Sequence, residues 1–307
     1  MTNVSNRFNA NDIIGVNPII AVPFTADGKI DEASFNNILD FLSSLEIQGA
    51  TLFGVASEFP KLTDKEKERL TELFLAHPNS HYFKAFSVTD HATEVAVDKA
   101  QRYEALGADA LMLLPPFFLT PRPSEVISHI EKVLGAVEIP IMVQYAPSET
   151  GFQISPEEMS QLGEKYPNAV FKIECNPPVP YTELLLQYYP QATVLNGYAG
   201  LYMLDILKAG GKGVMPGCSF TEVYIQIYKL WQEKQFEQAY QLHAKLFEYI
   251  QEWMTHCEYI IQVEKTILYK RGIIGSDYCR HPNFELSAHD YQRIDQFIAE
   301  FGLSIRS

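Results

Sequence analysis

One pattern restricts this chain more than any other. Short apolar, β-branched runs recur about every 20–33 residues as far as residue 215, with helix-like stretches between them. The runs are 17–22, 50–54, 82–87, 110–114, 141–145, 170–174, 193–195 and 213–215, each roughly the length of a strand. The intervening stretches carry helix-start signals. The clearest are Thr63-Asp64-Lys65-Glu66 and Ser155-Pro156-Glu157-Glu158, where a hydroxyl N-cap precedes an acid at the third helical position. Parallel strands cannot be joined by a tight turn and need a crossover, which a helix supplies. Eight such units predict an α/β chain closed into a (β/α)8 barrel, a TIM barrel. The competing open sheet carries a glycine-rich phosphate turn after its first strand, and Ala21-Val22-Pro23-Phe24-Thr25 contains no glycine.

Beyond residue 215 the pattern turns helical, through 221–233, 235–256, 260–270 and 288–301. Phe236, Ala239, Tyr240, Leu242, His243, Leu246, Phe247 and Ile250 recur at helical spacing, which implies a face packed on the barrel or on another subunit. The expected organisation is a barrel over 1–233 with a C-terminal helical segment over 234–307 packed on it as one structural unit. A length of 307 residues sits near the limit of about 250–300 at which a single core stops growing.

Charge narrows the partners. With 24 Lys+Arg against 38 Asp+Glu the net charge is −14, so the surface field repels phosphate backbones and anionic lipid, and neither nucleic acid nor membrane is an expected partner. Cys175, Cys218, Cys257 and Cys279 lie 43, 39 and 22 positions apart. None forms a C-x-x-C pair, so they read as reduced structural thiols. Residues 1–12 are polar, without the apolar stretch of a signal peptide, and nowhere do eighteen apolar residues run together. A soluble, cytoplasmic protein is expected. Pro78 between His77 and His81 argues against a helical metal pair, and Gly211-Lys212-Gly213 with Gly217 forms neither dinucleotide fingerprint nor P-loop. No cofactor is expected.

Barrel chemistry sits at the carboxyl ends of strands. In Val170-Phe171-Lys172-Ile173-Glu174 alternation puts Val170, Lys172 and Glu174 on one face and the two hydrophobes on the other. If the hydrophobes face the helix layer, Lys172 points into the barrel. There, loss of hydration disfavours the charged form of an ammonium and leaves a nucleophilic amine, able to condense with a 2-oxo acid to an imine that serves as an electron sink. The bland alternative is a lysine that snorkels outward or pairs with Glu174. Lys84, in the equally apolar Tyr82-Phe83-Lys84-Ala85-Phe86, has the same local pattern. A second constellation is Gly54-Val55-Ala56-Ser57-Glu58, where a strand-end glycine and successive amides suit a carboxylate and Ser57 adds a donor, unless it is a plain loop. The third is Gln144-Tyr145-Ala146-Pro147-Ser148-Glu149-Thr150-Gly151, in which Tyr145 is either a proton relay or a packed ring. Gly197 and Met215, at the ends of the seventh and eighth runs, are counted with the substrate-binding residues.

Taken in order, Pro23-Phe24-Thr25, Gly28-Lys29-Ile30-Asp31, Gly54 to Glu58, Leu62-Thr63, Pro115-Pro116-Phe117-Phe118, Pro147 to Gly151, Lys172, Gly272-Ile273-Ile274 and Arg280-His281-Pro282 resemble the dihydrodipicolinate synthase / N-acetylneuraminate lyase family of class I aldolases across nearly the whole chain. The resemblance implies a (β/α)8 barrel with helical C-terminal segment, a homo-oligomer (dimer or tetramer, commonly a tetramer built from dimers), and a lysine imine with pyruvate or a related 2-oxo acid. It makes Lys172 the nucleophile.

The departures shape the rest of the reading. Val55 and Ala56 stand where the family has two hydroxyl residues, Gln144 stands at its catalytic tyrosine with Tyr145 one place later, and Phe118 replaces a tyrosine that reaches a neighbouring subunit. Glu149 stands where dihydrodipicolinate synthases hold an aldehyde carboxylate with arginine, and a carboxylate there repels it. The expectation is therefore a divergent Schiff-base lyase or aldolase rather than a true dihydrodipicolinate synthase. In it Lys172, Tyr145 and Gln144 are catalytic. Gly54, Ala56, Ser57, Glu58, Glu149, Glu174, Gly197 and Met215 bind substrate, and Glu58, Glu149 and Glu174 bias the second-substrate pocket toward hydroxylated or cationic groups. A dehydratase using the same imine and a non-catalytic metabolite-binding barrel are the alternatives.

Overall fold

The computed structural model describes residues 8–78 and 81–305. Residues 1–7 of the polar amino-terminal stretch lie outside them. In chain order the elements are β1 (Gly15–Val16), α1 (Glu32–Ser43), β2 (Gly49–Leu52), α2 (Asp64–Ala76), β3 (Phe83–Ser87), α3 (Thr93–Ala105), β4 (Ala110–Leu113), α4 (Pro123–Leu134), β5 (Ile141–Tyr145), α5 (Pro147–Thr150), α6 (Pro156–Lys165), β6 (Ala169–Ile173), α7 (Pro178–Tyr188), β7 (Val194–Asn196), α8 (Met203–Lys208), β8 (Gly213–Val214), α9 (Thr221–Gln232), α10 (Phe236–Trp253), α11 (Cys257–Lys270) and α12 (Ala288–Glu300). Eight parallel strands alternating with helices, then helices alone, are the (β/α)8 class with a C-terminal helical extension that the alternation predicts.

The chain divides into two compact units, Met1–Asn17 with Phe83–Met215, and Pro18–Tyr82 with Pro216–Ser307. In the first, seven strands run parallel in the order β1-β8-β7-β6-β5-β4-β3. All residues of these strands are buried, which is why they read as continuous apolar runs rather than alternating ones. Their helices bury one stripe each, as α4 does with Val126, Ile130, Val133 and Leu134. Helix α6 opens on the expected reciprocal cap, Ser155 with Glu158.

In the second unit, α2 opens on the other expected cap, Thr63 with Glu66. Its apolar centre includes a set of edge-to-face rings from α10, α12 and the loop before α9. Phe297 meets Phe220, Tyr249 and Trp253 at centroid distances of 4.9, 5.0 and 5.1 Å. Helix α10 buries Ala239, His243, Leu246, Tyr249, Ile250 and Trp253. Phe236 and Tyr240, expected on that face, are exposed, because the stripe is centred one position away and Phe236 packs on Trp231 at 4.7 Å instead.

One strand differs from its expected span. The run 17–22 is not the first strand; β1 is two residues long and lies before it. Pro18 has no N–H to give a ladder, so the regular pairing breaks there. Ile19 continues alone, bridging Thr51 and Gly217 in parallel. Among the described residues no helix is long and apolar enough to cross a membrane.

Candidate active site

The sixth strand has the predicted alternation. Phe171 and Ile173 are fully buried on one face, and Lys172 is 5% exposed on the other. Gln144 of β5 and Leu195 of β7 are the register partners of Lys172 and share its face. Position along the strand separates Lys172 from Lys84. Lys172 is fourth of five residues in β6, at the carboxyl end where barrel chemistry sits, whereas Lys84 is second of five in β3. The backbone N–H of Lys84 donates to Asp109 at the opposite end of the strands, and burial pushes its ammonium below the ordinary lysine value.

Lys172 does not stand alone. Its Nζ lies 3.3 Å from Oε1 of Glu174, which is 7% exposed. The same Oε1 accepts the backbone N–H of Tyr198 at 3.0 Å, and the other oxygen accepts the side-chain amide of Gln144. The carboxylate is thus held on three sides by an amine, an amide and a peptide N–H. Gly197 makes the approach possible, since a Cβ there would lie 2.0 Å from Oε1 and 2.2 Å from Cγ of Glu174. Tyr198, Ala199 and Gly200 follow with φ of 46°, 49° and 74°. Two successive non-glycine residues in left-handed conformation cost about 1–3 kcal/mol each, and this strain turns the Tyr198 N–H onto Glu174.

The Tyr198 hydroxyl donates to Glu149 of α5, 3.0 Å from Oε1 and 3.1 Å from Oε2. Partial burial pushes the Glu149 carboxyl above its ordinary value; the Tyr198 hydroxyl opposes this and the charge of Glu174 adds to it. Met215, buried just after β8, donates its N–H to Asn196. Tyr145 is turned the other way. It pairs in register with Ile173, not Lys172, and stacks on Tyr181 of α7 at 4.6 Å. The structure therefore gathers Lys172, Gln144, Glu174, Gly197 and Glu149 around Tyr198, and leaves the Tyr145 ring in the layer between strand and helix.

Gly54, Val55, Ala56, Ser57 and Glu58 belong to the second unit, where Ser57 and Glu58 are held by contacts within that unit. The Ser57 hydroxyl donates to the Ile20 carbonyl at 2.6 Å and accepts the Phe53 N–H at 3.0 Å. Both of its roles are filled inside the fold. Glu58 has left-handed backbone (φ 51°) and a fully buried side chain, ion-paired to Lys265 of α11 and 3.2 Å from Lys61. Lys265 also donates to the Tyr278 carbonyl and lies over the Phe24 ring, 4.1 Å from its centroid. Arg280 covers the same ring at 4.5 Å and holds the Glu66 carboxyl down to about 2. Glu58 is committed to these cations.

The neighbouring Glu264 gives a stability prediction. It is 3% exposed, packs against Gly217 and accepts the Ser219 N–H at 3.2 Å; burial raises its carboxyl to about 7 from 4.5. Between those values the unfolded chain has released a proton that the folded chain still holds, so this group lowers stability as pH rises through that window. Above it the full penalty stands, on the order of 3 kcal/mol. Glu264→Gln keeps the acceptor for Ser219 and should gain stability over the wild type progressively from pH 4.5 to 7, then hold that gain. Buried His129, lowered to about 4, acts in the opposite sense but cancels in the comparison. Urea melts of both proteins at pH 5, 6, 7 and 8 read the difference, and a constant offset across that range would refute it.

A family model, the dihydrodipicolinate synthetase family, matches residues 12–301. The chain belongs to that family. Among curated relatives, 4-hydroxy-tetrahydrodipicolinate synthase of Methanococcus vannielii is 28% identical over 235 residues, 76% of this chain and 80% of the relative. Among solved structures, dihydrodipicolinate synthase from Rhodopseudomonas palustris superposes with a TM-score of 0.86 at 23% identity over 94% of this chain and 98% of that one. A prophage protein of the dihydrodipicolinic acid synthase family from E. coli K12, solved in complex with pyruvate, gives 0.85 at 20% identity over 95% and 99%.

Within the dihydrodipicolinate synthetase family frame, two residues escaped the sequence reading. Tyr198 escaped because its contributions come from a strained turn rather than a motif; the one available signal is its place directly after a strand-end glycine. Lys265 escaped because nothing local marks a lysine on a helix 207 positions after its partner, Glu58. Glu252, His289 and Asp290 bring possible metal-ligand atoms within 4.8 Å of one another. Asp290, however, already accepts from Tyr259 and Ser287.

Proposed function

We propose that this member of the dihydrodipicolinate synthetase family is a Schiff-base lyase, in which Lys172 forms an imine with pyruvate or a related 2-oxo acid and a C–C bond is then made or broken. The observation that carries this reading is a buried amine at the carboxyl end of β6, flanked by a hydrogen-bonded carboxylate. The protonated imine withdraws electrons from the neighbouring carbon and stabilises the carbanion that C–C chemistry needs. Gln144 orients the carboxylate rather than moving protons itself, because an amide neither gains nor loses a proton near neutral pH.

Glu149 and Glu174 set the character of the second substrate. Two carboxylates linked through Tyr198 in one site repel an anionic aldehyde and favour a partner with hydroxyl or cationic groups. Assembly as a homo-oligomer and a cytoplasmic location go with this reading; buried Cys175, Cys218 and Cys279, which form no disulfide among the described residues, suit a reducing compartment.

Borohydride reduction in the presence of pyruvate and a panel of 2-oxo acids tests it. The expected result is a mass increment equal to the reduced adduct on the peptide that contains Lys172, with turnover of hydroxylated aldehydes ahead of anionic ones. No increment with any acid, or an increment on another lysine, overturns the assignment.

A further inference from the structure

Imine formation is a sequence of proton movements, and some group must make them next to the nitrogen. The ammonium has to lose a proton before it attacks, the carbinolamine oxygen has to gain one, and the departing hydroxyl has to gain another. Tyr145 does not face the nitrogen, since its ring is stacked on Tyr181 and its register partner is Ile173. Gln144 does not ionise. Glu174 is the carboxylate that touches Nζ, at 3.3 Å.

We infer that Glu174 is the general acid–base of this site, carrying each proton of imine formation between Lys172 and the substrate oxygen. The inference rests on the imine reading given above. Glu174 first takes a proton from the Lys172 ammonium, leaving a neutral amine and a carboxylic acid. The nitrogen lone pair forms a bond to the 2-oxo carbon, and the C=O π pair moves to oxygen. Glu174 gives its proton to that oxygen and takes one from the attached nitrogen, which yields the neutral carbinolamine. It then protonates the hydroxyl, the C–O bond breaks with its pair as water leaves, and the nitrogen lone pair closes the C=N bond. The iminium keeps one proton and Glu174 ends as the carboxylate it began as. The three protons of the ammonium are thus accounted for, two in water and one on the iminium.

The surroundings suit a group that cycles between two charge states. The Gln144 amide and the Tyr198 N–H hold the two oxygens of Glu174 separately, so the carboxyl stays aimed at Nζ in either state. Position 197 has no side chain, and a methyl group there would occupy the place of the carboxylate. The left-handed turn at Tyr198 and Ala199 is a local cost carried beside this carboxylate, as expected where geometry serves chemistry.

The test is the rate at which borohydride traps the pyruvate adduct, followed by mass across pH in wild type and Glu174→Gln, with melting curves to confirm folding. The variant should form the adduct about 100-fold more slowly, with a pH profile of trapping that differs from that of the wild type. If Glu174→Gln does not fold, Gly197→Ala keeps the carboxylate but displaces it, and should slow trapping in the same sense. A variant that traps at the wild-type rate with an unaltered pH profile overturns the role of Glu174 while leaving the lysine imine intact. Wild-type protein that traps nothing with any 2-oxo acid removes the imine itself and this role with it.

Discussion

With Lys172 replaced by arginine, borohydride and pyruvate leave no increment on the protein, and turnover falls by at least about 10³-fold. Arginine is the informative choice because it separates charge from nucleophilicity. Glu174 is buried and its charge is matched in part by the Lys172 ammonium at 3.3 Å. Alanine would remove that match along with the nucleophile, and a loss of activity would be confounded with a loss of stability. A guanidinium keeps a cation beside Glu174 but is not deprotonated in proteins, so it has no lone pair to offer a ketone carbon. The measurement is intact and peptide mass after reduction, beside a thermal melt. Retained trapping would place the nucleophile elsewhere; Lys84, buried at the other end of its strand, would be the next lysine to replace.

The second large effect is on stability. Lys265→Met should cost about 3–5 kcal/mol in urea denaturation, because it leaves the Glu58 carboxylate buried without its nearest cation, held by Lys61 and the Arg280 N–H alone among the described residues. The cost comes from stranding a charge rather than from the intrinsic worth of the pair. Glu58→Gln combined with Lys265→Met should therefore recover most of the loss, with a coupling energy of more than about 1 kcal/mol. A single variant that loses less than about 1 kcal/mol, or a double variant that simply sums two losses, would show that the pair does not hold this part of the fold. The same experiment bears on function. The Gly54 to Glu58 segment carries part of the family resemblance, and its Ser57 and Glu58 are occupied by Ile20, Phe53, Lys61 and Lys265.

Much of the site was legible because strand geometry is simple. A period of two puts Lys172 and Glu174 on one face whatever the rest of the chain does, and two hydrophobes between and before them say which face is wrapped by helices. The same rule, applied to β5, separates Gln144 from Tyr145 before any contact is known. Helix starts were equally legible at Thr63 and Ser155, since a capping box is satisfied within four residues. The first strand was not, because Pro18 interrupts a ladder that apolar content alone suggests should run on. Phe236 and Tyr240 mislead in a related way, as helical spacing does not say where the centre of the buried stripe falls.

What the amino-acid order determined by itself is whatever depends on near neighbours. This includes the alternation of strands and helices, hence the barrel class, and the identity of a lysine with a carboxylate two places on. Only the tertiary structure decided which charges meet. Lys84 and Lys172 have the same kind of local surroundings, and one is set apart by lying near the carboxyl end of its strand. Glu58 and Glu174 are both carboxylates after strands, yet one is spent on Lys265 and the other faces Lys172. The physical reason is range. Pleat and capping are fixed by bonds a few residues long, whereas the state of a buried charge depends on partners brought close by folding and on the water removed with them.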